Sequence, residues 1–364
     1  MEEDPRFLSE QLITYIGNKR GLLSLIGRGV QAVQQRIGAR KLRVFDAFSG
    51  SGVVSRYLKQ FCSELYSNDL ETYSRILNEC YLTNYNDARV ANLPAMHQEL
   101  LADMEQHLAP GIIADNYAPA DDDNIHPGER VFYTRRNAIY LDTARKAIAQ
   151  LPQEQQVYFL APLLALASVH TNTSGVFKGF HKNSEGIGQF GGRGKNALQR
   201  IMAPMALPLP LFSRFNCESH VLQQEATAAA RSLPNLDLAY LDPPYNQHPY
   251  GSNYFMLNLI AEYSKPKESS RVSGIPRDWN RSVYNSRKQA AAALHELIST
   301  IPAPFILISY NSEGFIDRTQ MEDILRPLGK FELMEQEYAT FRGCRNLRNR
   351  PKKVAELLYL LERR

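Results

Sequence analysis

The stretch LRVFDAFSGSGVVSRYLKQF, Leu42 to Phe61, constrains the fold more than any other part of the chain. A β-rich apolar run ends in SGSG, and helical periodicity starts at once in VVSRYLKQF. That pattern reads as strand, glycine turn, helix. The same alternation continues downstream. ELYSNDL (Glu64 to Leu70) reads as a second strand and YSRILNECYL as the helix after it. LDLAYL (Leu236 to Leu241), PFILISY (Pro304 to Tyr310), FELMEQEY (Phe331 to Tyr338) and VAELLYLL (Val354 to Leu361) read as further strands. The helical stretches YFMLNLIAEY and RKQAAAALHELIST lie among them. Strands alternating with helices predict an α/β fold with a doubly wound sheet.

Composition narrows the class. At 44% hydrophobic and 22% charged, the chain has an ordinary globular balance rather than a disordered one. Its 364 residues suffice for one large or two ordinary domains. Cys62, Cys80, Cys217 and Cys344 are scattered, without the short spacing of a zinc or redox motif, so no metal is expected. The start, MEEDPRFLSE, is too acidic and polar for a signal peptide, and FLAPLLALASV (Phe159 to Val169) is too short to span a bilayer. A soluble cytoplasmic protein is expected.

From about Asn84 to about Phe215 the strand signal fades. This part holds an acidic loop, APADDDNIHPGER, and then one long helix, TARKAIAQLP to VYFLAPLLALASVH. It ends in a glycine-, aromatic- and lysine-rich piece, SGVFKGFHKNSEGIGQFGGRGKNALQR, expected to be a mobile loop. The segment reads as an insertion between the early and late strands of one sheet.

Three stretches carry chemistry. Glycines in DAFSGSG (Asp46 to Gly52) let backbone groups approach a ligand, although a glycine turn alone also describes a plain tight turn. Asp69 ends the next strand, where an acid can hold ribose hydroxyls or cap the helix beginning at LETYSRIL. The third is DPPYNQHPY, Asp242 to Tyr250, directly behind LDLAYL. Two prolines cannot extend a sheet ladder and leave rigidly aimed carbonyls. The exocyclic amine of adenine is a poor nucleophile because its lone pair is delocalised into the ring. The Asp242 carboxylate and the Pro243 carbonyl can accept its two hydrogens and free that lone pair. Tyr245 offers a flat face on which a flipped base can stack.

These motifs, in this order, resemble those of the D12 class of DNA adenine-N6 methyltransferases, the alpha-group enzymes that include the Dam-type methylases. The resemblance covers most of the chain and implies a Rossmann-like methyltransferase sheet with a mostly helical inserted target-recognition domain. It implies a catalytic domain at residues 1–84 and 216–364 and a DNA-binding insertion at 85–215. It also implies S-adenosyl-L-methionine as cofactor. TYIGNKRGLL is similar to the N-terminal motif of the class, which would bring Tyr15, Gly17 and Lys19 to the cofactor. FDAFSGSG is similar to its glycine loop (Asp46, Phe48, Gly50, Gly52) and SNDLE to its ribose motif (Asp69). Glu225 in LQQEATAAARSL stands where the family more often has Asp against the cofactor adenine. DPPY supplies Asp242, Pro243, Pro244 and Tyr245 as the catalytic set, with Asp242 also at the cofactor. ILISYNSEGFI and FRGCRNLRNR to VAELLYLL are similar to the final strands of a subgroup.

Basic stretches suit the expected double-stranded DNA partner, because neutralising phosphates supplies much of non-specific affinity. In the insertion these are Lys178, Lys182, Arg193, Lys195 and Arg200, interleaved with Phe177, Phe180 and Phe190. Asn172 and Asn196 have suitable chemistry for base readout. KPKESSRVSGIPRDWNRSVYNSRK (Lys265 to Lys288) and RGCRNLRNRPKK (Arg342 to Lys353) form second and third patches, and each also describes a solvated surface loop. His170 and His181 are expected in the core or at phosphate. A restriction endonuclease on a separate chain and a solitary methylase both fit, in a prokaryotic nucleoid or encoded by a phage. The alternatives are an RNA adenine-N6 methyltransferase and a non-catalytic DNA-binding protein on the same fold. The roles of Pro249 and Tyr250 stay open at this point.

Overall fold

The computed structural model describes residues 3–339 and 353–364. Its strands are β1 (Leu42–Asp46), β2 (Cys62–Asp69), β3 (Glu218–Gln223), β4 (Leu238–Leu241), β5 (Phe305–Asn311), β6 (Gly329–Ala339) and β7 (Lys353–Arg363). They form one seven-stranded sheet in the order β3-β2-β1-β4-β5-β7-β6. The first five pair in parallel, while β7 runs antiparallel to both β5 and β6. The predicted α/β sheet is therefore present. β3 is the addition: its ESHVLQ is half exposed at the sheet edge and carries no apolar run to mark it as a strand.

Both faces of the sheet are covered, which is why its central strands are apolar at nearly every position. Successive residues alternate between two cores. Leu42, Val44, Leu238, Tyr240, Leu307 and Leu358 face a core shared with helix Leu23–Ile37. Phe45, Ala239, Leu241, Ile306, Ile308 and Tyr359 face the opposite core, shared with helices Ala226–Ser232 and Ala290–Thr300. Strand order reverses between β1 and β4, and the carboxyl ends of strands at such a reversal form a ligand crevice.

The inserted segment leaves and re-enters the sheet side by side, with the Tyr85 N–H donating to the Ser213 carbonyl at 2.7 Å. The expected single long helix is instead two, Arg135–Ile148 and Gln153–Val169, with Pro152 in a non-helical conformation at the cap of the second, where its missing N–H costs no helical bond. These helices share a third core with helix Thr72–Tyr81 and with Tyr254 to Ala261, next to the DPPY loop. The buried Asp142 carboxylate ties the layers together. It accepts from the backbone N–H groups of Gly111, Ile113 and Ala114 and from the Tyr263 hydroxyl. Cys62, Cys80 and Cys217 are free and buried, while Cys344 lies outside the described residues. Among the described residues no helix is long and apolar enough to cross a membrane.

Candidate active site

The glycine loop after β1 bends across the ends of β2 and β4. Ala47 N–H donates to the Tyr240 carbonyl, Ser49 N–H to the Asn68 carbonyl, and Gly50 N–H to Asp69 Oδ2 at 2.8 Å. Gly50 has a φ of +51°, and a Cβ there would come within 2.8 Å of the Tyr15 ring, so glycine is required on both counts. Asp69 also accepts from the Glu71 N–H at 2.9 Å. It is not the helix cap: Glu71 precedes helix Thr72–Tyr81, and no side chain caps it.

The loop borders a cleft of about 1120 Å³, counting its open mouth. Tyr15, Gly17, Lys19, Phe48, Gly50, Asp69, Glu225 and Asp242 of the predicted cofactor set all line it. Asp46 and Gly52 do not. Asp46 is 0% exposed below the loop, where its Oδ2 accepts the Ser55 hydroxyl and burial pushes it up to about 7. Gly52 stands at the start of helix Val53–Leu58, facing Asn78. Glu225 lines the cleft while its carboxylate caps helix Ala226–Ser232 through the Ala228 N–H.

The second half of the cleft comes from residues outside the predicted cofactor set. Glu71 is buried, with its Oε2 accepting from Asn258 and Asn280. Burial, and then the Asp69 carboxylate, pushes it up to about 7. Asn280 to Asn285, inside the second basic patch, form a wall in which Tyr284 packs edge-on against Phe48 at 5.1 Å. That stretch therefore turns inward, while Lys265, Lys267, Arg271, Arg277, Arg281, Arg287 and Lys288 are exposed. The one sequence signal for Glu71 is its place in SNDLE beside Asp69.

DPPY follows β4, and its members are placed differently. Asp242 and Pro244 line the cleft, Pro243 is buried, and Tyr245 packs edge-on against Tyr310 at 6.2 Å. Lys19 is only 3% exposed, and its Nζ lies 3.1 Å from Asp242 Oδ1 and 2.7 Å from Glu356 Oε1. Glu356 belongs to β7, is 1% exposed, and accepts from the Ser309 hydroxyl on β5. Burial lowers the proton affinity of Lys19, but the two carboxylates more than offset it and hold the ammonium well above its usual range. Asp242 is pushed up to about 7: burial raises it, Lys19 opposes, and Glu356 raises it further. A lone Glu in VAELLYLL is the sequence signal for Glu356.

The open question about Pro249 and Tyr250 has a structural answer. Pro249 caps the short helix Tyr250–Asn253. The Tyr250 hydroxyl donates to the Ile16 carbonyl, and the Ile16 N–H donates to the Tyr254 hydroxyl at 2.7 Å. Tyr15 stacks on both rings, at 5.1 and 4.8 Å. The tail of the motif thus clamps the segment that carries Lys19.

The glycine-rich piece of the insertion, expected as a mobile loop, carries two aromatic anchors. Phe177 and Phe190 are buried, and the Phe177 N–H donates to the Asn253 carbonyl beside the DPPY loop. Asn172 is fully buried, bonding the Val131 carbonyl and the Gly191 N–H, so it is not placed to read bases. His170 is a core residue bonded to the Arg200 carbonyl, and the His181 backbone bonds the Asn172 carbonyl. Lys178, Lys182, Arg193 and Lys195 are exposed, and Arg200 is half-buried. Lys178 lies close enough to His248 of the DPPY tail to help desolvation hold that imidazole below its usual value. The third basic patch falls outside the described residues except for Lys353, which opens β7.

Comparison with known proteins agrees with this arrangement. The family model for D12 class N6 adenine-specific DNA methyltransferase matches residues 15–324. The chain is 29% identical to the type II methyltransferase M.NlaIII of Neisseria lactamica over 96% of its own length and 99% of that protein's. It is 28% identical to the type II methyltransferase M.CviAII of Paramecium bursaria Chlorella virus 1, over 91% and 93%. It is 26% identical to the modification methylase StsI of Streptococcus sanguinis, spanning 96% of this chain and 52% of that one. With its glycine loop, its DPPY strand end and a family match over most of its length, the chain belongs to the D12 class N6 adenine-specific DNA methyltransferases.

Proposed function

We propose that this chain uses S-adenosyl-L-methionine to methylate N6 of an adenine flipped out of a specific site in duplex DNA, as the modification partner of a separate restriction endonuclease. The observation that carries the reading is the placement of Asp242, held by Lys19, in the wall of the glycine-loop cleft.

The residues present fit the cofactor. Gly50 keeps the floor open where a side chain would strike Tyr15. Asp69 accepts two backbone N–H groups, and its oxygens retain lone pairs for ribose hydroxyls. Phe48, Ala226, Val283 and Tyr284 supply an apolar wall for the adenine ring. When bound, the cofactor supplies an electrophilic methyl carbon on a sulfonium sulfur and leaves as a neutral thioether. Tyr15, Gly17 and Lys19, which line the cleft, would hold its methionine end.

The remaining chemistry belongs to the chain. Asp242 and the Pro243 carbonyl accept the two amine hydrogens and raise the electron density on N6 as the new C–N bond forms. Tyr245 stacks on the base and fixes the line of attack, and orientation of that kind is worth several orders of magnitude in rate. The displaced N6 proton goes to solvent. Residues 1–84 and 216–364 form the catalytic domain and 85–215 the target-recognition domain. The adjacent exit and return of the chain at Tyr85 and Ser213 supports that division.

Incubating the purified protein with cofactor and unmethylated genomic DNA, followed by modified-base sequencing, tests the reading. N6-methyladenine at one recurrent motif is the expected result. Label found only in total RNA would replace it with an RNA substrate. Because Asp242 must be ionised to accept the amine, single-turnover transfer should fall as pH drops through about 7. A rate flat down to pH 5 would exclude Asp242 as the titrating acceptor.

Lys178, Lys182, Arg193, Lys195 and Arg200 are the proposed phosphate contacts of the insertion. The double change Lys178→Ala with Lys182→Ala should weaken binding to all duplexes alike. It should also make the slope of log K against log salt shallower by about 0.9 for each phosphate no longer neutralised. An unchanged slope in a fluorescence-anisotropy titration would remove both from the interface.

A further inference from the structure

We propose that Glu356 is a positioning residue for methyl transfer, holding Lys19 against Asp242 while leaving Asp242 enough negative charge to draw on the target amine. The inference rests on the reading of Asp242 given above.

One ammonium serves two carboxylates. Lys19 Nζ is 2.7 Å from Glu356 and 3.1 Å from Asp242, so the shorter contact belongs to the residue outside the cleft. If Lys19 served Asp242 alone, that carboxylate would be more fully neutralised, a weaker base and a weaker hydrogen-bond acceptor. Sharing the cation with Glu356 divides its field. The cation is held from separate elements: Glu356 comes from β7, Tyr250 and Tyr254 bond Ile16 in the segment that carries Lys19, and Asp242 directly follows β4.

A packing role alone does not explain the residue. Burying a carboxylate is costly, and apolar replacements of buried ion pairs are often neutral or stabilising. Its neighbours Leu357 to Leu361 are buried apolar residues. Only one Glu356 oxygen is satisfied: Oε1 meets Lys19 and Ser309, while Oε2 is buried without a partner among the described residues. The other titratable groups around Asp242 are Asp46 on β1, Tyr240 on β4, and Tyr245 and Tyr250 in the following loop. Among the described residues, the direct ion contacts in this cluster are those of Lys19 with Asp242 and with Glu356.

The test is the pH dependence of single-turnover methyl transfer, with labelled cofactor and saturating unmethylated DNA, for wild type, Glu356→Gln and Ser309→Ala. Glu356→Gln removes the second anion. It should move the acid limb down by about one pH unit and lower the alkaline plateau by about tenfold, with cofactor affinity within about twofold. Ser309→Ala removes a donor from Glu356 and strengthens its hold on Lys19. It should move the limb in the opposite direction, by about half a unit. A lower plateau with an unmoved limb would make Glu356 a packing residue, and shifts of the same sign in both variants would also overturn the proposal. If Glu356→Gln does not fold, the upward shift in Ser309→Ala decides alone. A wild-type enzyme that transfers no methyl to DNA would overturn the functional reading itself, and this proposal with it.

Discussion

Asp242→Ala is expected to slow single-turnover methyl transfer by about a thousandfold, within the range seen when one preorganised electrostatic partner of a transition state is removed. In the proposed acceptor pair the carboxylate is the charged member, and Pro243 alone cannot orient an amine with two hydrogens. Asp242→Asn should lose nearly as much, because its amide turns a donor toward the amine. The fold should survive both changes, since Lys19 keeps its 2.7 Å contact with Glu356. Cofactor titration and thermal unfolding of the same preparations separate chemistry from folding. An alanine variant that methylates DNA at close to the wild-type rate would remove Asp242 from the mechanism.

Lys19→Met should cost both activity and stability. Methionine fills similar volume but leaves the buried Glu356 carboxylate and Asp242 without their cation. Breaking a buried pair from one side typically costs about 3–5 kcal/mol, which corresponds to a melting point lower by roughly 4–7 °C for a chain of this size. Combining Lys19→Met with Glu356→Gln should recover about half of that loss, because no uncompensated charge then stays on β7. Activity should not return, since Asp242 remains unpositioned. A single Lys19→Met variant as stable as wild type would show that the triad is not a buried charge cluster in solution.

These expectations differ in how far they can be read from sequence. The Asp242 argument is available from DPPY alone, because proline, acid and aromatic side chains carry their chemistry locally. The strands β1, β4, β5 and β7 are legible for a similar reason, because apolar, β-branched and aromatic runs report burial on both faces of a sheet, while β2 and the partly exposed edge strand β6 are legible from the apolar and aromatic residues interspersed in ELYSNDL and FELMEQEY. β3 is not, because its edge position leaves ESHVLQ half exposed and without an apolar run. The break at Pro152 is written in the sequence but outweighed by the helical periodicity on either side.

Two surface stretches hold inward-facing residues that their composition does not report. Glycine and lysine content suggests a mobile loop at Ser174 to Arg200, yet Phe177 and Phe190 anchor it in the core. The second basic patch reads as an outward face, yet Asn280 to Asn285 fold against the cleft and bond Glu71 through Asn280. Composition reports what a segment can do in water, and not which of its residues turn inward.

The sequence by itself determined the α/β class, the order of the motifs and the residue types of the proposed acceptor pair. Each of those depends on residues adjacent in the chain or on a short period. The tertiary structure alone decided that Asp46 sits below the cleft, that Glu71 and Asn280 help enclose it, and that Tyr250 clamps the N-terminal segment. It also decided that Lys19, near the start of the chain, shares its charge between Asp242 and Glu356, near the end. A buried ion contact is set by the distance between strand ends after the sheet has closed, and no local pattern encodes that distance.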